Sequence, residues 1–378
     1  MPTPSFDLQF RIRCFSCALE HDPRVLQGVC TRCGDPLRVD YDLGSIRLAR
    51  IDVRDRAPSL WRYREVLPGS ASDEVSLTEG FTPLLAVAPN VWIKDESRNP
   101  TGSFKARGMS VAVSMARALG AKGLSAPSAG NAAGALAAYG ARAGLPVTVA
   151  MPIDTPAPFF AECELYGATI HRVNGTISDA GKLLRELKLP DTFDVSTLRE
   201  PFRIEGKKTM AYELVEQMDG AVPDVIVYPT GGGTGLIGMW KAFDELEALG
   251  WITPGRRPRF VSVQVDGCAP VVKAFDEGAA RTVPWPDAAT RAYGLRVPAP
   301  LGGYLCLRAI RDTGGTAIAI GEADMEAATR ELAARSGLDI CPEGGAAWAA
   351  VTRLRSNGWI KDPETVVVFN TGTGLKYR

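Results

Sequence analysis

The sequence predicts an α/β protein built on parallel β-sheet. Short runs rich in Val or Ile alternate with amphipathic helical segments that begin at glycine, which is the pattern of βα units. With 378 residues the chain is long enough for about two domains. The β-runs lie at residues 91–94, 123–127, 146–151, 224–228, 259–265 and 365–369. Parallel sheets of this kind bind their ligands at the carboxyl ends of the strands.

Composition excludes several classes of function. Lys and Arg number 43 and Asp and Glu also number 43, so no global positive field attracts nucleic acid or an anionic membrane. The two histidines, His21 and His171, are too few for a histidine-rich metal centre, and they nearly exclude a Ser-His-Asp triad. No segment approaches the apolar length of a membrane-spanning helix. We therefore expect a soluble, cytoplasmic protein without nucleic-acid or membrane partners.

The first forty residues carry two C-x2-C pairs. Twelve residues separate Cys14 and Cys17 from Cys30 and Cys33, a spacing that lets four thiolates converge on one zinc ion. Because protein would supply all four ligands, such a zinc would be structural. A ribbon that has lost its metal and a pair of redox-active dithiols remain alternatives. The other cysteines are isolated and are expected to be buried as small apolar residues: Cys163, Cys268, Cys306 and Cys341.

A glycine loop follows the run at 224–228 and opens a helix. The loop consists of Gly231, Gly232, Gly233, Thr234 and Gly235. Without Cβ atoms its backbone N–H groups can turn inward at the positive end of a helix dipole, which predicts a phosphate-binding site. The spacing from residue 233 to residue 238 also satisfies the dinucleotide fingerprint, so a nicotinamide cofactor is an alternative. In the following helix, an apolar face is predicted for Leu236, Met239, Trp240, Phe243 and Leu246, with Lys241, Asp244, Glu245 and Glu247 off that face.

Two more loops after β-runs carry polar side chains. Ser103 is a candidate N-cap, which would place Lys105 in a first helical turn where the dipole lowers the pKa of an amine. Asn131 follows the run at 123–127 and offers an amide donor. Taken alone, Lys105 is more readily interpreted as a solvated surface lysine and Asn131 as an ordinary turn asparagine. An amine nucleophile, an amide donor and a phosphate cradle together suit a Schiff base to pyridoxal phosphate.

At this point the sequence resembles the fold type II pyridoxal phosphate enzymes, the tryptophan synthase β-like fold, and within them the threonine synthase family. The resemblance runs over nearly the whole chain as ordered motifs. They are the cysteine ribbon, SLTEGFTPL at 76–84, KDE at 94–96, NPTGSFK at 99–105, SAGN at 128–131, FRIEGKKT at 202–209, the glycine loop and NTGTGLK at 370–376.

The resemblance implies a role for each site residue. Lys105 would carry the Schiff base and shuttle protons, Asn131 would bind the cofactor's 3-oxygen, residues 231–235 its phosphate, and Thr371 its pyridine nitrogen. It implies two open parallel-sheet domains: a large domain of residues 46–110 and 206–378 and a small mobile domain of residues 111–205, after a zinc-ribbon-like segment at 1–45. A homodimer is also implied. The reaction would be conversion of O-phospho-L-homoserine and water to L-threonine and phosphate.

Departures from the family pattern concern the substrate. Ala129 and Ala132 stand where hydroxyl residues are common, Glu200 replaces an Asn, Lys207 a Gln, and Thr373 a His. A threonine or serine ammonia-lyase or a β-replacement enzyme is therefore the main alternative, and a non-catalytic binding protein is another. Glu343 would either lie near the cofactor or simply open a helix. For the substrate's own phosphate the motifs suggest Arg203, Lys208, Thr176 and Ser178.

Overall fold

A computed structural model describes residues 10–378 and contains both parallel sheets and helices. The strands are β1 (Phe10–Cys14), β2 (Glu20–His21), β3 (Leu37–Tyr41), β4 (Leu84–Ala88), β5 (Val91–Asp95), β6 (Gly123–Pro127), β7 (Val147–Pro152), β8 (Thr169–Val173), β9 (Thr192–Asp194), β10 (Val225–Pro229), β11 (Arg259–Val265), β12 (Thr316–Ile320) and β13 (Val366–Asn370).

The α-helices follow the strands as the βα pattern predicts. They are α1 (Lys105–Ala118), α2 (Asn131–Ala143), α3 (Ala157–Leu165), α4 (Ile177–Glu186), α5 (Phe202–Gln217), α6 (Thr234–Ala248), α7 (Pro270–Asp276), α8 (Gly303–Asp312), α9 (Glu322–Ser336) and α10 (Pro342–Ser356). Each of the six strands predicted from the sequence is present within one residue of its expected bounds. In the described part of the chain, no helix combines the length and apolarity needed to span a bilayer.

The chain divides into two compact units. The first contains the described residues up to Gly80 together with 99–101 and 105–209, and the second contains 81–98, 102–104 and 210–378. The boundary falls within α5, after Thr209. The three-part division drawn from the sequence stays a prediction, and residues 1–9 of its ribbon segment lie outside the described residues.

The first unit holds two sheets. Strands β2, β1 and β3 form an antiparallel sheet in that order, and β8, β7, β6 and β9 form a four-stranded parallel sheet. The ribbon shares one apolar core with α1: Ile12, Leu37 and Val39 belong to the same cluster as Val111 and Met115. Burial of that shared apolar surface attaches the ribbon firmly to the helix that begins at Lys105.

The second unit is built on a six-stranded sheet in the order β12-β11-β10-β13-β5-β4. All neighbouring pairs are parallel except β4 with β5. Its strands are almost continuously apolar because helices cover both faces of such a sheet. The order places the carboxyl ends of β10, β13 and β5 side by side, and these ends lead into the glycine loop, Thr371 and residue 96, respectively.

Helix α6 corrects one expectation from the sequence. Leu236, Met239, Phe243 and Leu246 are buried as predicted, and Trp240 is half-buried. Two charged residues predicted to lie off the apolar face, however, are also buried: Lys241 and Glu245. Lys241 Nζ lies 2.5 Å from Glu245 Oε1, and the Tyr212 hydroxyl donates to Glu245 Oε2 at 2.8 Å. Their mutual pairing satisfies the charges, so an apolar environment can enclose them.

Candidate active site

Lys105 is the first residue of α1 and is half-buried. The residues before it form a short antiparallel pairing inside the second unit: Phe104 N donates to Thr371 O at 3.1 Å, and Thr373 N donates to Gly102 O at 2.8 Å. Ser103 does not make the predicted capping bond, because the helix begins one residue later than a cap at 103 requires. Its hydroxyl is instead buried with no hydrogen-bond partner among the described residues.

An aromatic cluster ties three chain segments of the second unit together. The ring of Phe104, which precedes Lys105 in the chain, packs edge-on against Tyr228 with centroids 6.1 Å apart. Tyr228 in turn contacts Phe369 at 5.2 Å. Tyr228 lies in the strand that enters the glycine loop, and Phe369 lies two residues before Thr371. The structure thus brings together the strand that enters the loop, the segment before Thr371 and the residue preceding Lys105 within the second unit.

Three glycines of the loop have no room for a side chain: Gly231, Gly233 and Gly235. Helix α6 begins at Thr234 after Gly233, which has φ +81° and supplies no side-chain cap. A Cβ at Gly233 would overlap Cys306 Sγ, one at Gly235 would overlap the Tyr228 hydroxyl, and one at Gly231 would overlap the Gly294 carbonyl oxygen. At these glycines no side chain covers the backbone, which lies at the positive end of a fifteen-residue helix. A phosphate-binding site is expected to have this arrangement.

Gly294 and Glu343 support this loop, and sequence reasoning missed the first of them. Glu343 is in the first turn of α10, where its Oε1 accepts from Gly294 N and from the Tyr377 hydroxyl, both at 2.8 Å. Glu343 therefore lies at the start of a helix, which is one of the two interpretations drawn from the sequence. It also holds Gly294 against Gly231. The Pro-rich region around residue 290 contained no motif that could have identified this contact.

Thr371 follows β13 and is buried. The preceding Asn370 donates to Asp95 Oδ1 at 2.9 Å and to Asp339 O at 3.1 Å, and its Oδ1 accepts from Cys341 N at 3.2 Å. These bonds hold the end of the strand rigidly.

The four isolated cysteines are all buried, as predicted: Cys163, Cys268, Cys306 and Cys341.

Asn131 belongs to the first unit, where it is the first residue of α2 and half-buried. The hydroxyl of Ser128 organises this turn, since it accepts from Gly130 N at 3.2 Å and from Ala133 N at 3.1 Å. Asn131 thus follows the carboxyl end of β6 in the chain and begins the next helix. Lys105 belongs to the same unit, whereas the glycine loop and Thr371 belong to the second.

Helices α1 and α5 cross closely within the first unit. A Cβ at Gly206 would overlap the carbonyl of Arg107, and one at Gly108 would lie 3.0 Å from Arg203 O and 2.9 Å from Lys207 Cε. The two glycines let the backbones approach and press the Lys207 side chain onto the first turns of α1. Lys207 is completely buried. Its burial, together with the positive charges of Arg203 and Lys105, lowers the pKa of Lys207 well below its usual value.

Arg203 and Glu200 complete this charged cluster. Glu200 accepts from Phe202 N at 2.6 Å and from Arg203 N at 3.1 Å, so it caps α5. Burial raises the pKa of Glu200 to about 7 although Arg203 and the backbone N–H groups oppose that shift. Arg203 Nη1 donates to Val195 O at 2.8 Å, while its Nε and Nη2 are buried with no partner among the described residues.

Two of the four residues suggested for the substrate's phosphate make contacts within the protein: Lys208 and Thr176. Lys208 Nζ is fully buried, 2.7 Å from Glu205 Oε2 and above the ring of Tyr41. Thr176 caps α4 by accepting from Ser178 N at 3.2 Å, a bond that involves only the backbone of Ser178. Arg203 is buried, and two of its donors lack a partner among the described residues.

The four ribbon cysteines converge as their spacing predicts. Cys14 Sγ lies 3.4 Å from Cys33 Sγ, and Cys17 Sγ lies 3.5 Å from Cys30 Sγ. All four sulfur atoms lie within 4.8 Å of one another, and none is in a disulfide. This donor set is the one that a tetrahedral structural zinc requires.

The sequence is similar to proteins of known family. Residues 75–372 match the family described as pyridoxal-phosphate dependent enzyme. The chain is 34% identical over 376 residues to threonine synthase of Methanosarcina acetivorans, covering 97% of this chain and 92% of that protein. It is 33% identical over 324 residues to threonine synthase of Mycobacterium bovis, covering 83% and 87%, respectively.

Solved structures share the fold at lower identity. An L-serine ammonia-lyase from Rhizomucor miehei superposes with a TM-score of 0.67 at 21% identity, covering 79% of this chain and 97% of that one. The processed form of threonine deaminase isoform 2 from Solanum lycopersicum superposes with a TM-score of 0.65 at 22% identity, covering 77% and 83%. These similarities confirm the predicted fold class.

Proposed function

The chain belongs to the pyridoxal-phosphate dependent enzyme family, and on this premise we propose that it converts O-phospho-L-homoserine and water to L-threonine and phosphate. The observation that carries the proposal is the similarity to threonine synthases along nearly the entire chain, ribbon included. Composition agrees, since two histidines leave the acid-base chemistry to other groups.

We propose that four elements hold the cofactor: Lys105, Asn131, residues 231–235 and Thr371. The bare backbone at the N-terminus of α6 suits its phosphate, and the Thr371 hydroxyl suits its ring nitrogen. Asn131 would donate its amide to the 3-oxygen. Lys105 would bond covalently to the aldehyde, and its position in the first turn of α1 favours the neutral amine that this bond requires.

The cofactor supplies an electron sink for the charge that develops when a proton leaves the α-carbon. Lys105 would take that proton at Nζ and return it later in the reaction. Arg203 would bind the substrate's phosphate through Nε and Nη2, two buried donors that have no partner among the described residues. The phosphate would leave Cγ with the bonding electrons, and a proton lost from Cβ would be replaced by one gained at Cγ. Water would then add its hydroxyl at Cβ, and its remaining proton would leave with the phosphate.

Two measurements test the assignment. Purified protein supplied with O-phospho-L-homoserine should release inorganic phosphate and form threonine in equal amounts. Borohydride reduction followed by peptide mass mapping should place the reduced cofactor on Lys105. A Lys105→Ala variant should lose the label and the activity, whereas Lys182→Ala, on exposed α4, should keep both. Absence of phosphate release, with the label present, would refute the substrate assignment only.

An ammonia-lyase is the second candidate, and a specific observation favours it. Ala129 and Ala132 provide no hydroxyl beside Asn131, whereas the threonine synthase pattern commonly has hydroxyl residues there. Production of 2-oxobutanoate from threonine or pyruvate from serine, at rates above phosphate release, would replace the first assignment with this one.

We propose that the four ribbon cysteines bind one structural zinc ion. Four thiolates packed within 4.8 Å repel one another unless a cation lies among them. Metal analysis should find one zinc per chain, and a chelator should lower the thermal midpoint. A Cys30→Ser variant should lose both the metal and the chelator response, while Cys163→Ser should retain both. Zinc-free protein of unchanged stability would contradict the proposal.

We propose a cytoplasmic homodimer, because the family resemblance implies two copies and the sequence suggested a cytoplasmic protein. Sedimentation equilibrium should give twice the mass of 40.4 kDa. A single-chain mass across the micromolar range would refute the dimer.

A further inference from the structure

We propose that Tyr41 is a positioning residue, which couples the cysteine ribbon to the helix that begins at Lys105. The inference rests on the zinc and cofactor sites proposed above, and it concerns how those two sites influence each other. Tyr41 is the last residue of β3 and belongs to neither site. Tyr41, α1 and the start of α5 all lie in the first unit.

Tyr41 contacts an ion pair on α5. Its hydroxyl donates to Glu205 Oε2 at 2.8 Å, and Lys208 Nζ lies 4.1 Å from the centre of its ring. Lys208 Nζ also lies 2.7 Å from Glu205 Oε2, and both charged residues are 0% exposed. Because buried charges depend on every partner that they have, this pair favours one arrangement of Tyr41 on α5.

The ion pair flanks the point where α5 meets α1. Gly206 lies between Glu205 and Lys208 in the chain, and a Cβ at Gly206 would overlap the carbonyl oxygen of Arg107. Arg107 is two residues beyond Lys105, in the same turn of α1. The contact joins one backbone to another, so no change of rotamer can absorb a shift of α5. Such a shift therefore displaces the turn that carries Lys105.

The metal site lies against the same two helices. Cys14 and Cys30, two of the proposed zinc ligands, belong to the apolar cluster that contains Phe202 of α5 and residues of α1. Strand β3 has Leu37 opposite Cys14 at one end and Tyr41 at the other. A ribbon of this size folds together with its ion, since its own core is small. Loss of zinc should therefore loosen β3 and the contact of Tyr41 with α5.

Zinc and the cofactor should consequently bind cooperatively. A ribbon held by zinc fixes Tyr41 on α5, and α5 on the first turn of α1, so Lys105 is already ordered before the cofactor binds. Less ordering entropy is then lost on cofactor binding. Linkage makes the effect reciprocal: zinc raises the affinity for the cofactor by the same factor by which the cofactor raises the affinity for zinc.

The first measurement is cofactor affinity with and without zinc. Titration with pyridoxal phosphate, followed by the visible absorbance of the Lys105 adduct, should show about tenfold weaker binding after a chelator removes zinc. Tyr41→Leu with zinc bound should show a similar loss and respond less than about twofold to zinc. Tyr41→Phe keeps the ring over Lys208 but not the hydroxyl, and should lose about threefold. Tyr166→Leu, at an exposed tyrosine of the same unit, should behave as wild type.

Zinc affinity is the reciprocal readout. Holoenzyme should hold zinc about tenfold more tightly against a chelator than protein without cofactor, and Tyr41→Leu should remove that difference. A purely structural role of Tyr41 would lower the thermal midpoint and leave this ratio unchanged. If zinc removal unfolds the chain, zinc-bound Tyr41→Leu decides, since wild-type cofactor affinity in that variant would contradict the coupling.

The outcomes separate this inference from the proposed function. A protein that binds no zinc, a cofactor affinity independent of zinc in wild type, or a wild-type ratio in folded Tyr41→Leu would overturn the inference even in an active threonine synthase. Coupling that Tyr41→Leu abolishes, in a protein that forms no threonine from O-phospho-L-homoserine, would support the inference and refute the proposed function alone.

Discussion

Replacement of Gly233 by alanine tests the glycine loop quantitatively. Gly233 has φ +81°, where a Cβ costs about 1–2 kcal/mol. The new methyl group would also overlap Cys306 Sγ, and overpacking of this kind costs about 1–3 kcal/mol. Gly233→Ala should therefore lower the free energy of unfolding by about 2–5 kcal/mol. It should also weaken cofactor binding, because the same backbone forms the proposed phosphate cradle.

Gly250 provides the matched control. It follows the other end of α6 with φ +71°, and a Cβ there meets nothing within 4 Å. Gly250→Ala should therefore cost only the conformational part, about 1–2 kcal/mol, and leave cofactor affinity unchanged. Urea unfolding and cofactor titration by absorbance measure both effects. Combining Cys306→Ala with Gly233→Ala should recover part of the unfolding free energy that Gly233→Ala loses. Equal losses in Gly233→Ala and Gly250→Ala would refute the close-packing argument.

Two further predictions concern buried charges. Glu213→Ala should destabilise the protein by about 3–5 kcal/mol in urea unfolding, because it leaves the Lys94 ammonium, 2.8 Å away and fully buried, without its counterion; an effect below about 1 kcal/mol would contradict this. Glu200 binds a proton more tightly in the folded chain, with a pKa of about 7 against a usual 4.5, so wild-type stability should fall as pH rises through that window. Glu200→Gln should not show that fall, so its stability relative to wild type should rise between pH 4.5 and about pH 7. Exposed Glu186→Gln should follow wild type at every pH, and a Glu200→Gln profile that does the same would refute the reasoning.

Local patterns in the sequence predicted the strands and the loops that follow them. Runs rich in Val and Ile form buried strands wherever their flanks carry turn residues, so the bounds of β5, β6, β10, β11 and β13 could be read closely. The two C-x2-C pairs likewise predicted a converged cysteine cluster, because a short ribbon leaves thiolates at that spacing few other arrangements.

Burial of charged residues could not be predicted in this way. Lys241 and Glu245 resemble a solvent-exposed pair on a helix surface, and Lys207 resembles one of many surface lysines, yet all three are buried. Helix periodicity assigns a residue to a face, but only the elements packed on that face determine whether water reaches it. The close approach of α1 and α5 at Gly108 and Gly206 is such a case.

The family motifs and their order were sufficient to identify the α/β class, the cofactor and the candidate residues, because those depend on residue types at short spacing. Long-range packing determined the rest. It decided which strand ends are adjacent and that Glu343 holds Gly294 against the glycine loop. It also decided that Lys208 is paired, while two donors of Arg203 have no partner in the part of the chain that the structure describes. Charge states and free donors depend on neighbours distant in the chain, and those neighbours are set only when the helices and sheets pack.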